Sequence, residues 1–491
     1  VKNMPKKYYT RIIENELDQM LGIFGAVLIE TEMVWKDDHG RDPCGVQALL
    51  MDPSRNFENR LRAETDPALA VVGEVPRLID EWQEVPKLWD AARFECDNRG
   101  GEPGQFIFTG SATPRDNERP MHSGAGRFAK LRMDTMTLFE LGKSSGAVKL
   151  SGIISGEKFN GAFGSLDLLD AEYIVRGGWP AAVGRDALAA SAMAKRYIGI
   201  VAEEDLSRVD GSRRDPEKVK AVIESLARNE STLATLKTLV ADLGGEVSRQ
   251  TAASYISLLA RVSFVRDIPA WNPAMRSPVH LRESKKHHLA DPSLAAAALG
   301  ATPETLLLDF KTLGLLFESL ALHDLWVYAR ANGMNLYHYH DSRDLEVDAV
   351  IAAPGGTWIP VEVKLSSAQI EEASDNLVAV EERMVAAGNT PPVSKVAIIG
   401  FGSQAYVTDR GAKLFPWMFL RRNAAGEVKS TPHFLDSFSE IYTVKLKICR
   451  LDFHLIRNAR AKVKATRVGV SFTRLAFHIA FQIASKQNEI F

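Results

Sequence analysis

The sequence predicts an α/β protein in which a parallel sheet is followed by a helical stretch and then a second α/β unit. Three observations carry this. Short apolar runs alternate with amphipathic helical spacing up to Gly110, closely spaced helices fill Asp215 to Trp271, and helices then give way to strands up to Ile399.

Taken in order, Gly25-Ala-Val-Leu-Ile-Glu30, Pro76-Arg-Leu-Ile-Asp-Glu81 and Gly104-Gln-Phe-Ile-Phe-Thr-Gly110 read as buried strands. Between the last two, Val85, Leu88, Trp89, Ala92 and Phe94 recur at helical spacing over Trp82–Arg99. Apolar strands joined by a helix belong to a parallel sheet covered on both faces. In the middle of the chain, Lys218–Ala227 and Ser231–Leu243 read as helices, Gly244-Gly245 as a turn, and Ser248 as the cap of a helix reaching about Ala260. Val262–Ile268 follows as a short strand, which is the order of a winged helix-turn-helix, with a plain helical bundle as the alternative. Further on, Leu294–Leu299 and Pro303–Ala331 read as helices, Asn335–Tyr339, Glu346–Ala352 and Trp358–Val363 as strands, Asp375–Ala387 as a helix and Lys395–Ile399 as a strand. The expected units are therefore 8–200, 215–285 and 290–421, with a tail over 422–491.

Composition narrows the function class. Hydrophobic residues at 45% and charged residues at 25% suit a chain that buries real cores, and 491 residues suit about three domains. Sixty Lys+Arg against sixty-two Asp+Glu exclude a global basic field. That balance is a cancellation: residues 423–491 hold eleven Lys+Arg and five Asp+Glu, a surplus of +6, which leaves -8 for the rest. Cys44, Cys96 and Cys449 are too scattered for a disulfide framework or a zinc cluster. No apolar run approaches the ~18–20 residues of a membrane span, and the start of the chain leads into Glu14 and Asp18, so a cytoplasmic protein with no membrane partner is expected. Residues 441–491 carry ten basic and two acidic residues. A basic nucleic-acid or membrane-surface arm is one reading of them; a read-through extension without a selected fold is the favoured one.

Several residues point to nucleotide chemistry. Asp80 and Glu81 end an apolar strand, the placement in which P-loop ATPases hold Mg²⁺ with the Asp and polarise the attacking water with the Glu. Thr109-Gly-Ser-Ala112 closes the next strand, where the Ser111 hydroxyl would contact the γ-phosphate or the water, and Arg127 in Gly124-Ala-Gly-Arg127 would reach a phosphate. A solvated strand end and a surface arginine are the plainer alternatives.

With these segments in place, the sequence resembles the prokaryotic AAA-type ATP-binding proteins that carry a C-terminal restriction-endonuclease-like domain of uncharacterised function. The resemblance rests on Arg11-Ile-Ile, the three strands above, Gly126-Arg127, Gly177-Gly-Trp-Pro180, Ser225-Leu-Ala-Arg-Asn229, Asp291-Pro-Ser-Leu294 and Glu362-Val-Lys364, and covers roughly residues 8–421. It implies an AAA-like parallel sheet, ATP and Mg²⁺ as cofactors, and an ATPase activity. It leaves open a homo-oligomer, and equally a non-catalytic regulatory protein or a nuclease whose ATPase part is scaffold.

One departure stands out. The family's phosphate loop, G-x-x-x-x-G-K-[ST], should follow the strand ending at Glu30, whereas the chain reads Thr31-Glu-Met-Val-Trp-Lys-Asp-Asp-His-Gly40. Back-translating Met33–His39 and reading one base later allows Trp-Cys-Gly-Lys-Thr-Thr-Thr, which is similar to that loop. A frame displacement over about Thr31 to Ala48 is the expectation, and with it impaired ATP binding.

Two further sites are expected. Arg249 and Gln250, opening the Ser248-capped helix, would face base edges, with Arg261 and Arg266 on phosphates, making DNA a partner. Asp348 and Glu362 lie a hairpin apart, and Glu362 and Lys364, two residues apart on a strand, share a face. Such carboxylates would bind Mg²⁺ while the ammonium stabilises or deprotonates a water. This D…E-x-K pattern resembles restriction-endonuclease-like nucleases, with Glu318 as a third carboxylate. His338 and His340 read as half-exposed strand histidines, and Lys285-Lys286-His287-His288 as a solvated turn or a phosphate contact.

Overall fold

The computed structural model describes residues 9–30, 46–53, 56–110, 120–155, 157, 161–162, 170–273, 285–402 and 404–421, all within the compact unit Val1–Ala425. The expected frame displacement falls mostly, and Ser111 and the tail entirely, outside these residues.

The three apolar runs form strands β1 (Ala26–Glu30), β3 (Arg77–Asp80) and β4 (Phe106–Gly110), joined by β2 (Val46–Leu49) and β5 (Phe128–Arg132) in one sheet of order β2-β3-β4-β1-β5. Every pairing is parallel. Alternation decides the faces. Val27, Ile29, Leu78, Ile107, Ala129 and Leu131 enter the large core with the helices that follow, while Ala26, Leu28, Ile79, Phe106 and Phe108 pack on Trp82, Leu88, Trp89, Ala92 and Cys96. The helix expected over Trp82–Arg99 is a 3₁₀ turn, Trp82–Glu84, and then a helix, Lys87–Asn98. Phe94, expected on its apolar stripe, is 61% exposed, because the buried stripe runs through Leu88, Trp89, Ala92 and Cys96.

In the middle, helices Pro216–Arg228, Leu236–Asp242 and Arg249–Arg261 precede an antiparallel pair of strands, Val265–Ile268 and Lys286–Leu289. Ser248 caps the third helix as expected, its hydroxyl accepting from Thr251 N. The second helix starts at Leu236 rather than Ser231, because Thr235 supplies its cap.

The last unit is a seven-stranded mixed sheet. From one edge its strands are Asn335–His340, Glu346–Ala352, Trp358–Lys364, Lys395–Ile399, Ala412–Pro416, Gln404–Val407 and Gly161–Ala162. The long stretch Pro303–Ala331 is two helices, broken at Asp309, which caps the second (Phe310–Ala331). That helix backs one sheet face, and Ile370–Ala386 covers the other through Ala373, Leu377, Val380 and Met384. Among the described residues no helix is long and apolar enough to cross a membrane.

Candidate functional sites

The parallel sheet puts one group of residues together. β1 lies between β4 and β5, although the chain runs from it to β2 at the far edge, so its carboxyl end marks a switch point where α/β sheets leave a crevice. Glu30, Asp80 and Gly110 end neighbouring strands there. Thr109, the register partner of Asp80, donates its hydroxyl to Asp80 Oδ1 at 2.7 Å. Glu81 follows the strand at φ 55°, a left-handed turn that few non-glycine residues adopt, and its carboxylate is buried and accepts from Gln83. Gln83 also fills the space over Gly110, where a Cβ would meet its Oε1 at 2.0 Å.

Arg127 does not join them. It precedes β5 and pairs with Asp97, and its neighbour Phe128 is in register with Ala26, at the amino edge of the sheet. A five-residue strand separates that edge from Asp80 by roughly 15 Å. The expectation that Arg127 senses phosphate is therefore corrected. At the carboxyl edge Arg132, the register partner of Glu30, turns to Asp134 and the Ser263 carbonyl, and Lys130, two residues before it, reaches Glu30 at 3.1 Å. An acidic edge with a carboxylate and a hydroxyl side by side suits Mg²⁺, but the described residues there do not suit a triphosphate. The segment that would have to cradle it, 31–45, lies outside them.

The second group forms at the mixed sheet. Glu346–Ala352 and Trp358–Lys364 pair antiparallel, Ala349 opposite Val361, which sets Asp348 opposite Glu362 on one face, as the fourteen-residue spacing implied. Asp348 Oδ2 accepts from Val363 N at 2.7 Å, Lys364 Nζ lies 2.8 Å from Glu362 Oε2, and Asn376 of the covering helix donates to Glu362 Oε1. Glu318, on Phe310–Ala331, receives an ammonium that sequence reasoning placed elsewhere: Lys286 Nζ is 2.7 Å from its Oε1 and 3.6 Å from Glu346 Oε1. Lys286 is only 1% exposed, so the solvated turn expected over Lys285–His288 is corrected to a strand whose lysine enters the carboxylate cluster. His288 on the same strand is buried against Glu230, at 2.9 Å, and burial pushes its pKa down. Its strand neighbour Arg266 is also buried, ion-paired with Asp134, and is not a phosphate contact. Arg249 and Gln250 are exposed on the first turn of their helix, where the Ser248 cap places them. His338 is buried rather than half-exposed, the strand there being covered on both faces.

Burial sets the electrostatics of the cluster. It pushes Glu318 up to about 8, with Lys286 opposing and Asp348 and Glu346 adding to the rise. Glu362 is held well above the usual carboxylate range by burial and then Asp348, against Lys364 and Asn376. For Lys364 burial works downward, but Glu362 and Asp348 outweigh it and raise it. The hard oxygen donors suit Mg²⁺ by chemistry. Their arrangement does not: among the described residues no three His, Cys, Asp or Glu side chains are placed to share an ion, and ammonium groups stand between them.

Comparison with known proteins adds the following. Residues 169–305 match the model of a Domain of unknown function (DUF8612), and residues 313–420 that of a Domain of unknown function (DUF4143). No curated protein matches the chain. Among solved structures it is similar to the Walker-type ATPase PABY2304 of Pyrococcus abyssi, with 13% identity, 61% of this chain and 98% of that one covered, and a TM-score of 0.35. It is also similar to two structures of Thermotoga maritima RuvB. One has 15% identity, coverage of 52% and 89%, and a TM-score of 0.22. The other, titled a Holliday junction branch migration motor, has 14%, 52% and 89%, and 0.21.

Proposed function

We propose that this chain is an AAA-type ATP-binding protein, joined to a winged-helix-like region and a restriction-endonuclease-like unit that act on DNA, and that its ATP binding is impaired in the present sequence. The observation that supports this most is the all-parallel sheet with Asp80, Glu81 and Thr109 at the carboxyl end beside β1. In that reading Asp80 and the Thr109 hydroxyl hold Mg²⁺, and Glu81 orients a water from a turn that keeps it out of solvent.

Isothermal titration with Mg·ATP tests it, comparing the chain with one whose residues 33–39 are replaced by Trp-Cys-Gly-Lys-Thr-Thr-Thr. Restored backbone N–H groups and a lysine should tighten binding by at least about 100-fold, roughly 2.7 kcal/mol. Asp80→Asn in the restored chain should lose about tenfold or more of that affinity. Equal affinity in the original and restored chains refutes the proposal.

A second reading, phosphodiester cleavage at the carboxylate–lysine cluster, is favoured by the opposition of Asp348 and Glu362 with Lys364 on the same face. It expects Mg²⁺-dependent cleavage of duplex DNA that Lys364→Ala abolishes. Cleavage surviving that change removes the reading.

A further inference from the structure

We infer that the Lys286 ammonium occupies the place of a divalent cation in the carboxylate cluster and keeps the site closed to metal. The inference rests on the reading of that cluster as a metal site, and it accounts for the mismatch between donor chemistry and arrangement described above.

Lys286 comes from outside the unit that carries the carboxylates. It lies on the Lys286–Leu289 strand, paired with Val265–Ile268 directly after the Arg249–Arg261 helix. From there its side chain reaches Glu318 on the long helix and Glu346 on the strand that also holds Asp348. A lysine buried to 1% exposure is rare unless its charge is matched, and here Glu318 at 2.7 Å and Glu346 at 3.6 Å match it. Lys364 neutralises Glu362 in the same way from two residues along the same strand. Four carboxyl groups (Glu318, Glu346, Asp348, Glu362) thus share two ammonium groups, Lys286 on the Glu318 side and Lys364 on the Glu362 side.

An ion taking the carboxylates on the Glu318 side would stand where the ammonium stands, and two cations at that separation repel strongly in a buried site. Departure is open to Lys286, because its stem is flexible and the Glu346 side chain beside it is 41% exposed, giving the ammonium a short way to water. Lys286 is then a competitor for the metal rather than a partner of it.

The test uses Mn²⁺ alone and the full chain. Mn²⁺ affinity by calorimetry should rise about tenfold or more in Lys286→Gln and stay at the original value in Lys286→Arg, which retains the charge. Unchanged or weaker binding in Lys286→Gln overturns the inference while leaving the metal-site reading in place. Absence of Mn²⁺ binding in both overturns the two together. A measurement on the unaltered protein guards against a variant that fails to fold. Reductive methylation read by peptide mass spectrometry should label Lys286 several-fold faster in millimolar Mn²⁺, because a displaced ammonium enters solvent. Labelling that Mn²⁺ leaves unchanged or slows overturns the inference.

Discussion

Asp134→Asn is expected to destabilise the chain by about 3–5 kcal/mol at pH 7, read from urea denaturation followed by circular dichroism. Asp134 follows β5 by two residues and sits at the meeting point of four arginines. Arg266 pairs with its Oδ1, Arg330 Nη1 is 2.9 Å from its Oδ2, Arg132 Nε is 3.6 Å from Oδ1, and Arg11 donates to its main-chain carbonyl at 2.7 Å. Arg266 is buried and stacked over Trp326, 5.2 Å from the ring centre, so it has no water to turn to when the carboxylate is removed. Breaking a buried pair in this way costs more than the pair contributes, because a charge is left without a partner. Arg330 also reaches Glu16 at 3.1 Å and the Arg132 carbonyl at 2.7 Å, so the cluster ties the carboxyl end of β5 to the first helix and the long helix of the last unit.

The same residue gives a pH signature. Burial alone would raise the Asp134 pKa, but Arg266, Arg330 and Arg132 outweigh it and hold the carboxyl far below the usual range. A folded-state pKa below the unfolded value of about 3.9 means that the stabilisation is complete above that value and is lost as pH falls further. The gap in stability between the original chain and Asp134→Asn should therefore be constant from pH 7 to about 5 and shrink below about 4. A loss under about 1 kcal/mol at pH 7, or a gap that does not narrow in acid, refutes this account.

What could be read in advance depended on the range over which each signal acts. β1, β3 and β4 were legible because a strand buried on both faces needs an unbroken apolar run, and so was the Ser248 cap, which acts within one helical turn. Asp348 and Glu362 were legible because a hairpin converts sequence spacing into register. β5 was missed: Phe128-Ala-Lys-Leu-Arg132 alternates at an edge of the sheet and lacks the apolar run of the central strands. Lys286 was misread because nothing beside it signals a carboxylate arriving from Glu318, thirty-two positions later. Arg127 and Arg266 were misread for the same reason. An arginine looks alike in sequence whether its partner is a phosphate, Asp97 or Asp134.

Gly178→Ala is expected to abolish folding or cost more than about 3 kcal/mol, because two segments that looked independent in sequence form one lock. Gly177-Gly-Trp-Pro180 and Asp291-Pro-Ser-Leu294 meet through Asp291 Oδ2, which accepts from Gly178 N at 2.9 Å, and Ser293 Oγ, which accepts from Trp179 Nε1 at 2.9 Å. On the other side Met136 N donates to the Gly178 carbonyl at 2.7 Å. A Cβ on Gly178 would stand 2.1 Å from the Met136 carbonyl oxygen and 2.7 Å from its nitrogen, so no rotamer change relieves the clash and the main chain itself must move. Gly300→Ala is the control. Unlike Gly178 it has a left-handed backbone, φ 67°, but nothing lies within 4 Å of a built Cβ, so it should cost only about 1 kcal/mol. Melting both variants beside the original chain separates the two costs. Similar small losses in both would mean that the segment around Met136 yields easily, and that the Gly177–Pro180 turn is not the rigid joint that sets β5 against the helices behind it.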